Sequence, residues 1–460
     1  MAVLSTANAV TTTLLCFFIF FISLSHQQPP LDSAEQEAVY AVLNSLNPTI
    51  PWRTLFSDDL CLSAPHGIVC DYPLPSSSST TEQSQSAHVV ELSFGYVSDE
   101  TPNPPCSDNA TLNPLLFTSF PYLRKLFFYK CFNSTQSSHL SDLPPLPPTL
   151  EELVFIENPA FVTPLAPFLR NLTALRRLVL VGNGFSGEVP PQIGAFADLE
   201  EVTLSGNQLS GEVPASLGLL KKVKILDLSH NTFKGCVPEK LGNLTQLLKL
   251  DLSYNGFGCK IPESLRGLQC LEFLDMSFNG FGNFGVPLFL GEIPRLKEVY
   301  LSGNLLSGVI PEIWENLGGV VKIGFSEIGL TGKIPASMGV YLKNLSYLGL
   351  DNNKLEGPVP EELGLLEFAD EINLENNNLT GRVPFSAKNG HKIKLAGNRG
   401  LCFHNQISCS GENGGRVGQL KPCKKTAVTV PAAVLFNGAS LVGFDPLTLV
   451  LGFLFVFTGF

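Results

Sequence analysis

Asparagines recur along this chain at a spacing of mostly 24 or 25 residues, and this spacing constrains the fold more than any other feature. The same frame surrounds each of them, as in LRRLVLVGNGFSGEVP, which ends at Pro190, and LEEVTLSGNQLSGEVP, which ends at Pro214. A repeat of this length is one supersecondary unit that cannot bury its apolar face alone, so the pattern predicts a solenoid of stacked coils. The asparagines are Asn158, Asn183, Asn207, Asn231, Asn255, Asn279, Asn304, Asn353, Asn377 and Asn398.

The frame LxxLxLxxNxLxGxIP is that of the leucine-rich repeat, and each residue type in it has a physical role. Leu175, Leu178 and Leu180 alternate along a predicted short strand, so their side chains should point into the core. Stacked strands form a parallel sheet, and each asparagine amide can hydrogen-bond the backbone of adjacent coils. We therefore expect an α/β solenoid, a right-handed superhelix with a concave parallel β-sheet and cysteine-paired caps. One coil has Ile328 in place of the asparagine, which we interpret as local variation.

The two ends of the chain predict export and attachment to a membrane. An apolar run from Leu14 to Leu24 precedes small residues, which indicates a signal peptide at 1–25, with a signal anchor as the alternative. The small-residue cluster that begins at Asn437 is followed by an apolar run of 14 residues up to Phe460. That pattern predicts a GPI anchor attached at Asn437, and a short transmembrane tail is the alternative.

Between these ends the sequence divides into five segments. The predicted segments are an N-terminal cap with a Ser-rich loop at 26–95, irregular early repeats at 96–149, regular leucine-rich repeats at 150–401, a C-terminal cysteine cap at 402–411 and a stalk at 412–436, before the tail at 437–460.

Cysteines and glycosylation sequons fit an exported protein. Removal of Cys16 with the signal peptide leaves ten of the 11 cysteines, an even number that favours disulfides over metal ligands. We expect the pairs Cys61 with Cys70, Cys106 with Cys131, Cys236 with Cys259, and Cys402 with Cys409, leaving Cys270 and Cys423 unassigned. The candidate glycosylation sites are Asn109, Asn133, Asn171, Asn243, Asn344 and Asn378.

Composition and motifs argue against enzyme activity and against nucleic acid as a partner. The chain of 460 residues has a net charge of -11 and no basic run, which is unfavourable for phosphate binding. It contains no hydrolase elbow, HExxH motif or phosphate loop, so we expect no catalytic residues, no metal and no cofactor. The segment Gly280–Gly285 matches GxGxxG but falls within the turn of a repeat. We interpret the column of Asp227, Asp251 and Asp275 as solvated carboxylates about 5 Å apart rather than as a catalytic set.

The concave face is the predicted binding surface. Strand geometry sends the residues six, four and two positions before each asparagine outward, and bulky side chains gather there on four consecutive coils. Exposed aromatic residues are typical interface anchors, so we expect this patch to contact a peptide or a partner ectodomain. The alternative for Phe278 is that its ring packs against the neighbouring coil. The patch consists of Ile225, His230, Lys249, Tyr254, Phe273, Phe278 and Tyr300.

The repeat frame, its GxIP turns and the paired-cysteine caps resemble those of plant leucine-rich repeat receptor-like proteins. The resemblance covers roughly residues 32 to 410, but the segment Pro65–Cys70 lacks the tryptophan that usually begins this cap motif. It implies a non-catalytic co-receptor at the extracellular face of the plasma membrane that binds a secreted peptide or the ectodomain of a leucine-rich repeat receptor kinase, or both. Inhibitors of wall-degrading enzymes of the polygalacturonase-inhibitor type use the same repeat and are the alternative, with a structural wall glycoprotein as a third. The hydrophobic C-terminal tail favours the receptor.

Overall fold

The computed structural model describes residues 29–63, 67–72, 86–95, 103–134, 144–385, 393–403 and 421–423, all within one compact unit that ends at Cys423. The predicted signal peptide, most of the Ser-rich loop, Cys409, Asn437 and all of the predicted stalk except 421–423 lie outside the described residues. Within the described ranges, no helix is long and apolar enough to cross a bilayer.

The described strands lie mostly at two positions of the coil, one before the asparagine and one after it. In chain order they are β1 (Ile68–Asp71), β2 (His88–Phe94), β3 (Lys125–Tyr129), β4 (Glu152–Ile156), β5 (Val162–Pro164), β6 (Arg177–Val181), β7 (Gly184–Gly187), β8 (Glu201–Thr203), β9 (Gln208–Gly211), β10 (Ile225–Asp227), β11 (Thr232–Gly235), β12 (Lys249–Asp251), β13 (Gly256–Phe257), β14 (Phe273–Asp275), β15 (Glu298–Tyr300), β16 (Lys322–Gly324), β17 (Thr331–Gly332), β18 (Tyr347–Gly349), β19 (Lys354–Pro358), β20 (Glu371–Asn373), β21 (Asn378–Arg382), β22 (Ile393–Lys394), β23 (Gly400–Phe403) and β24 (Lys421–Pro422).

The main sheet contains 14 strands in the order β1-β2-β3-β4-β6-β8-β10-β12-β14-β15-β16-β18-β20-β22. The first pair is antiparallel and the remaining pairs are parallel, with equivalent residues opposite one another, such as Leu226, Leu250 and Leu274. Two five-stranded sheets, β13-β11-β9-β7-β5 and β17-β19-β21-β23-β24, form from the segments that follow the asparagines. The structure confirms the predicted α/β solenoid with its parallel sheet.

Short helices complete the coils on the side away from the main sheet. The α-helices are α1 (Ser33–Leu46), α2 (Trp52–Leu55), α3 (Leu60–Ser63), α4 (Leu115–Thr118), α5 (Leu165–Phe168) and α6 (Ala336–Tyr341). The 3-10 helices span Pro191–Ala195, Ala215–Leu219, Glu239–Asn243, Glu263–Gly267, Leu288–Glu292, Trp314–Asn316 and Glu361–Leu365. The proline of the GxIP turn is the N-cap residue in several coils, including Pro190 and Pro214, because its fixed φ suits a helix entrance where no amide donor is needed.

The core is one continuous apolar column inside the coils. Leu175, Leu178 and Leu180 are fully buried, as the alternation of the repeat predicts. Phenylalanines extend the column, since the ring centroids of Phe257 lie 6.4 Å from those of Phe233 and 6.0 Å from those of Phe281. Each coil thus buries its apolar face only against its neighbours, which is the physical reason that the repeats are stable as an array.

Each of the recurring asparagines joins neighbouring coils through its side-chain amide. The Nδ2 of Asn231 donates to the carbonyl oxygens of Leu204, Leu228 and Ser229, at 2.9, 3.3 and 3.0 Å. Its Oδ1 accepts a hydrogen bond of 3.0 Å from the backbone N–H of Leu209. Buried backbone groups that the turn would leave unpaired are therefore satisfied, as the sequence predicts.

Two coils lack the asparagine, and in each the asparagine of the following coil supplies the hydrogen-bond acceptor. Cys131 occupies an asparagine slot, and its backbone N–H donates to Oδ1 of Asn158 at 2.8 Å. Ile328 occupies another slot, is fully buried, and donates its backbone N–H to Oδ1 of Asn353 at 3.2 Å. The following asparagine thus compensates for the missing one in both coils.

Four disulfides join described cysteines, and one of them corrects a sequence expectation. Three bonds connect the expected pairs: Cys61 with Cys70, Cys106 with Cys131, and Cys236 with Cys259. The fourth joins Cys402 to Cys423, so the expected pairing of Cys402 with Cys409 is wrong. The reason is the parallel pairing of β23 with β24, which places Cys402 opposite Lys421, close to Cys423. Cys270 carries a free thiol.

Candidate functional site

The residue immediately before each asparagine adopts a left-handed backbone conformation. His230, Tyr254 and Phe278 have φ values of 51°, 52° and 53°. Several other coils fill this position with glycine or asparagine, as at Gly206 with a φ of 67° and Asn352 with a φ of 56°, and three carry the charged residues Lys130, Glu157 and Glu327. These residue types tolerate positive φ, whereas a bulky side chain there costs about 1 kcal/mol. Three consecutive coils therefore hold aromatic residues where the backbone favours small ones.

The three aromatic side chains form one stack, which we call the aromatic ladder: His230, Tyr254 and Phe278. The ring centroids of His230 and Tyr254 lie 4.2 Å apart with planes inclined by 12°. Those of Tyr254 and Phe278 lie 4.4 Å apart with planes inclined by 21°. Tyr254 and Phe278 remain 45% and 44% exposed, so the ladder is an apolar surface that water contacts.

The ladder lies beyond the ends of the main-sheet strands, which refines the predicted placement. The strands end at Asp227, Asp251 and Asp275, three residues before each ring. The alternative prediction for Phe278 is that its ring packs against the neighbouring coil. The ring does lie over Gly303 of the next coil, but Phe278 remains 44% exposed. The left-handed backbone thus directs these side chains along the edge of the sheet.

The other four predicted residues lie on the strands themselves. Ile225, Lys249 and Phe273 are opposite one another in register on β10, β12 and β14, and all three are half-buried. The Phe273 ring lies 5.8 Å from the ring of Tyr300, and the ammonium of Lys249 lies 5.3 Å from the Phe273 ring centroid. The structure therefore brings Lys249, Phe273 and Tyr300 together, with Ile225 beside them.

The aspartate column is more buried than the sequence predicts. Asp227 and Asp251 are 7% and 9% exposed, so the interpretation of these carboxylates as solvated is wrong. Each accepts hydrogen bonds from the backbone N–H and the hydroxyl of the serine two residues later, with O–O distances of 2.7 Å at Ser229 and Ser253. These bonds offset part of the cost of desolvating the charge.

Charge in this column is unequally neutralised. The Nζ of Lys249 lies 2.7 Å from Asp227 and 3.5 Å from Asp251. Asp275 accepts a 2.8 Å hydrogen bond from the backbone N–H of Ser277 and forms no ion pair among the described residues. Burial raises the pKa of Asp275, and the neighbouring Asp251 raises it further. The column therefore carries three carboxylates and one ammonium.

Tyr300 closes the patch toward the following coils. Its hydroxyl donates to a carboxylate oxygen of Glu298 at 2.8 Å, and burial together with this bond raises the pKa of Tyr300. Its ring lies over Gly324, where an added Cβ would be 2.7 Å from Cδ1 of Tyr300. Sequence reasoning missed Gly303 and Gly324, although glycine at a position that bears aromatic rings on neighbouring coils was a usable signal.

The six predicted glycosylation asparagines are all exposed and none lies on a strand of the main sheet. Asn171 follows α5, and Asn243 ends a 3-10 helix. Asn378 begins β21, which belongs to the five-stranded sheet that starts with β17. In the described part of the chain, no group of acidic, histidine or cysteine side chains is arranged to hold a metal ion.

Family models agree with this fold. Two models of the leucine-rich repeat match the chain, one over residues 197–257 and 221–281, and the other over residues 295–317 and 344–366.

Two curated proteins of Arabidopsis thaliana are similar to parts of the chain. TOO MANY MOUTHS is 33% identical over 142 residues, which is 31% of this chain and 26% of that protein. Piriformospora indica-insensitive protein 2 is 33% identical over 162 residues, which is 35% of each chain. The matched segments thus span about a third or less of the length of these relatives.

Solved structures of plant receptor ectodomains share the architecture. The Arabidopsis receptor kinase HAESA, in complex with the peptide hormone IDA and the co-receptor SERK1, superposes with a TM-score of 0.53 at 28% identity, over 63% of this chain and 48% of that chain. PEPR1 with AtPEP1 gives a TM-score of 0.58 at 24% identity, over 81% of this chain and 52% of that one, and supports the fold alone. The chain therefore has the leucine-rich repeat fold that these plant receptor ectodomains share.

Proposed function

We propose that this chain is a non-catalytic co-receptor of plant signalling that binds a secreted peptide, the ectodomain of a leucine-rich repeat receptor kinase, or both. The observation that carries the proposal is the aromatic ladder, in which three bulky residues keep a strained backbone conformation while their rings stay exposed. Strain that the fold could avoid with glycine is expected where side chains have a function. The HAESA complex, with its peptide hormone and co-receptor, supports the same class of partners.

The composition of the patch supports binding of a partner rather than packing within the chain. Tyrosine and phenylalanine give a large, rigid contact area, and such residues are typical anchors of interfaces. The exposed ladder lies beside the half-buried pair Phe273 and Tyr300, so apolar and polar contacts are available within a few coils. Glycans on the six sequons would leave the main-sheet strands uncovered, and we propose that these sites are modified.

The first experiment tests binding with the full-length protein expressed in plant cells. A triple variant, His230→Gly with Tyr254→Gly and Phe278→Gly, removes the rings while retaining a residue that tolerates positive φ. The matched control replaces Glu327, Asn352 and Asn376, which have φ values of 57°, 56° and 53° on later coils, with glycine. Capture by a panel of purified receptor-kinase ectodomains should be lost in the ladder variant and retained in the control.

Equal capture by the ladder variant, with equal secretion, would refute this role of the surface. Inhibition of a fungal polygalacturonase by the purified protein, lost in the same variant, would replace the proposal with the inhibitor alternative. These two outcomes differ in the partner that is bound, so the assays separate them.

We further propose that the protein is held at the outer face of the plasma membrane by a GPI anchor at Asn437. Phosphatidylinositol-specific phospholipase C should release it from intact cells, and replacement of the whole small-residue cluster from Asn437 to Ser440 with glutamine should prevent that release. Retention in the membrane after phospholipase treatment would instead favour a transmembrane tail.

A further inference from the structure

We propose that Asp275, with the rings of Phe273 and Tyr300, binds an arginine side chain of the partner. This inference rests on the proposed function and specifies the chemistry of the ligand at the same surface. Equivalent positions on adjacent coils differ in one respect. The coil of Asp251 supplies Lys249 as a cation, whereas the coil of Asp275 has Phe273 at the same position.

Lys249 provides the internal precedent. Its ammonium lies 2.7 Å from Asp227 and 3.5 Å from Asp251, and 5.3 Å from the centroid of the Phe273 ring. A cation at this row of the sheet is therefore held by two carboxylates and one aromatic face, an arrangement that stabilises positive charge. The lysine is the strand residue opposite Ile225 and Phe273.

One coil further along, the carboxylate is present, but among the described residues no cation lies within ion-pair distance of it. Phe273 occupies on β14 the position that Lys249 occupies on β12, so no lysine reaches Asp275 from its own strand. On the next strand the same row holds Glu298, whose carboxylate accepts a hydrogen bond from Tyr300 and pairs with Lys322 at 3.3 Å. Asp275 is thus a half-buried carboxylate without an ion pair among the described residues.

The rings around Asp275 favour a flat cation. Phe273 and Tyr300 are inclined by 50° with centroids 5.8 Å apart, on the strands of Asp275 and of its neighbour. A guanidinium can stack against an aromatic face and still donate two parallel hydrogen bonds to a carboxylate, whereas an ammonium offers only a point charge. Arginine can therefore contact both the carboxylate of Asp275 and the rings of Phe273 and Tyr300.

Charge complementarity supports the same occupant. Asp227, Asp251 and Asp275 lie in register on three strands, and among the described residues Lys249 forms ion pairs with the first two of them. An arginine at Asp275 would relieve the repulsion that this row builds up. The aromatic ladder lies three residues beyond the strand ends, so the side chain next to the arginine in a bound peptide could contact it.

The test uses the full-length secreted protein and a display library of random 12-residue peptides. Selected peptides are resynthesised with each arginine replaced by citrulline, which has the same shape without the charge. We expect arginine to be enriched among the binders, and citrulline or Asp275→Asn to weaken binding at least about tenfold. The control Asp227→Asn removes the same charge from a carboxylate that Lys249 already pairs, and it should leave binding within about twofold.

The outcomes separate the two proposals. Peptides that require the aromatic ladder but bind equally well with citrulline, or to the Asp275→Asn protein, would overturn the arginine inference and leave the proposed function standing. If no peptide distinguishes the wild-type protein from the ladder variant, peptide binding at this surface fails. In that case saturation-transfer NMR with N-acetyl-arginine amide still tests Asp275, because equal signals from the wild type and from Asp275→Asn would overturn the inference.

Discussion

A Cβ atom placed on Gly303 would lie 2.5 Å from Cδ1 of Phe278, so the aromatic ladder ends against a residue that has no room for a side chain. Gly303 has a φ of 68°, and the residues at the same position of other coils also have positive φ, from 51° at His230 to 81° at Gly397. One end of the ladder is therefore closed by backbone. The row of left-handed residues thus carries the three rings, and at Gly303 the same row leaves the space that the Phe278 ring fills.

Replacing Gly303 with alanine should destabilise the protein by about 2–3 kcal/mol. About 1 kcal/mol follows from the positive φ and the remainder from displacement of the Phe278 ring. Gly187 is the control, since its φ is 82° but nothing lies within 4 Å of an added Cβ, so Gly187→Ala should incur only the smaller cost. Urea unfolding of both variants measures the difference. Equal costs would show that the ring yields freely.

At Tyr254, glycine should be better tolerated than alanine. Both substitutions remove the ring, but glycine adopts the φ of 52° without the penalty that a Cβ incurs, so Tyr254→Gly should be more stable by about 1 kcal/mol. At Phe273, which lies within strand β14, the order should reverse because glycine weakens an extended strand. The free energies of unfolding of the four variants decide this, and the same order at both positions would contradict the role of the backbone.

The fold could be predicted from the sequence because the signals that specify it are local and repeated. Leu175, Leu178 and Leu180 alternate in one coil and recur in the next, so each copy of the frame reinforces the same register. The asparagine amide needs only the backbone of its neighbours, and Asn231 uses it as expected. The bulky residues of the predicted binding surface, such as Tyr254, could be identified in the sequence, but not their geometry.

What remained unpredictable depends on contacts between coils that do not follow the frame. The partner of Cys402 is fixed by the pairing of β23 with β24 rather than by distance along the sequence. The burial of Asp251 depends on the side chains above and below it, and Lys249 reaches it from the same strand. The stacking of His230 on Tyr254 needs a left-handed backbone, which aromatic residues seldom adopt.

Loss of one of the recurring asparagines should be among the more costly single substitutions. Asn231→Ala would leave the N–H of Leu209 without its acceptor and would remove one of two donors from each of three backbone carbonyls, which keep Asn207, Asn255 and Gly206 as donors. An unpaired buried group costs about 1–3 kcal/mol, and the lost hydrogen bonds to the carbonyls add to this, which suggests a total of about 3 kcal/mol. Gln208→Ala, an exposed position in the adjacent coil, is the control. Denaturant unfolding should separate the two clearly, and similar midpoints would disprove the bridging role.

Asp275→Asn should stabilise the protein at neutral pH, although it is expected to weaken binding. Burial and the nearby Asp251 raise the pKa of Asp275 in the folded chain, so its ionised form is less favourable folded than unfolded. The penalty is absent below the unfolded pKa of about 3.9, grows as the pH rises from that value to the raised folded pKa, and is constant above it. Asparagine keeps an acceptor for Ser277 without the charge. Melting temperatures of the two proteins should coincide at pH 3 and diverge by pH 7, and a difference that is constant with pH would exclude this cause.

The disulfide between Cys236 and Cys259 should stabilise the coils that carry His230 and Tyr254 more than its surface position suggests. It closes a loop with a sequence separation of 23 residues, for which constraint of the unfolded chain contributes about 3 kcal/mol. The double substitution Cys236→Ser with Cys259→Ser should lower the free energy of unfolding by that amount and weaken partner capture, because neighbouring rings stack only while their coils stay in register. Cys270→Ser, at a free thiol, should change neither quantity. Urea unfolding and the receptor-ectodomain assay test both effects. Unchanged capture by a measurably destabilised double variant would show that the ladder holds its own alignment.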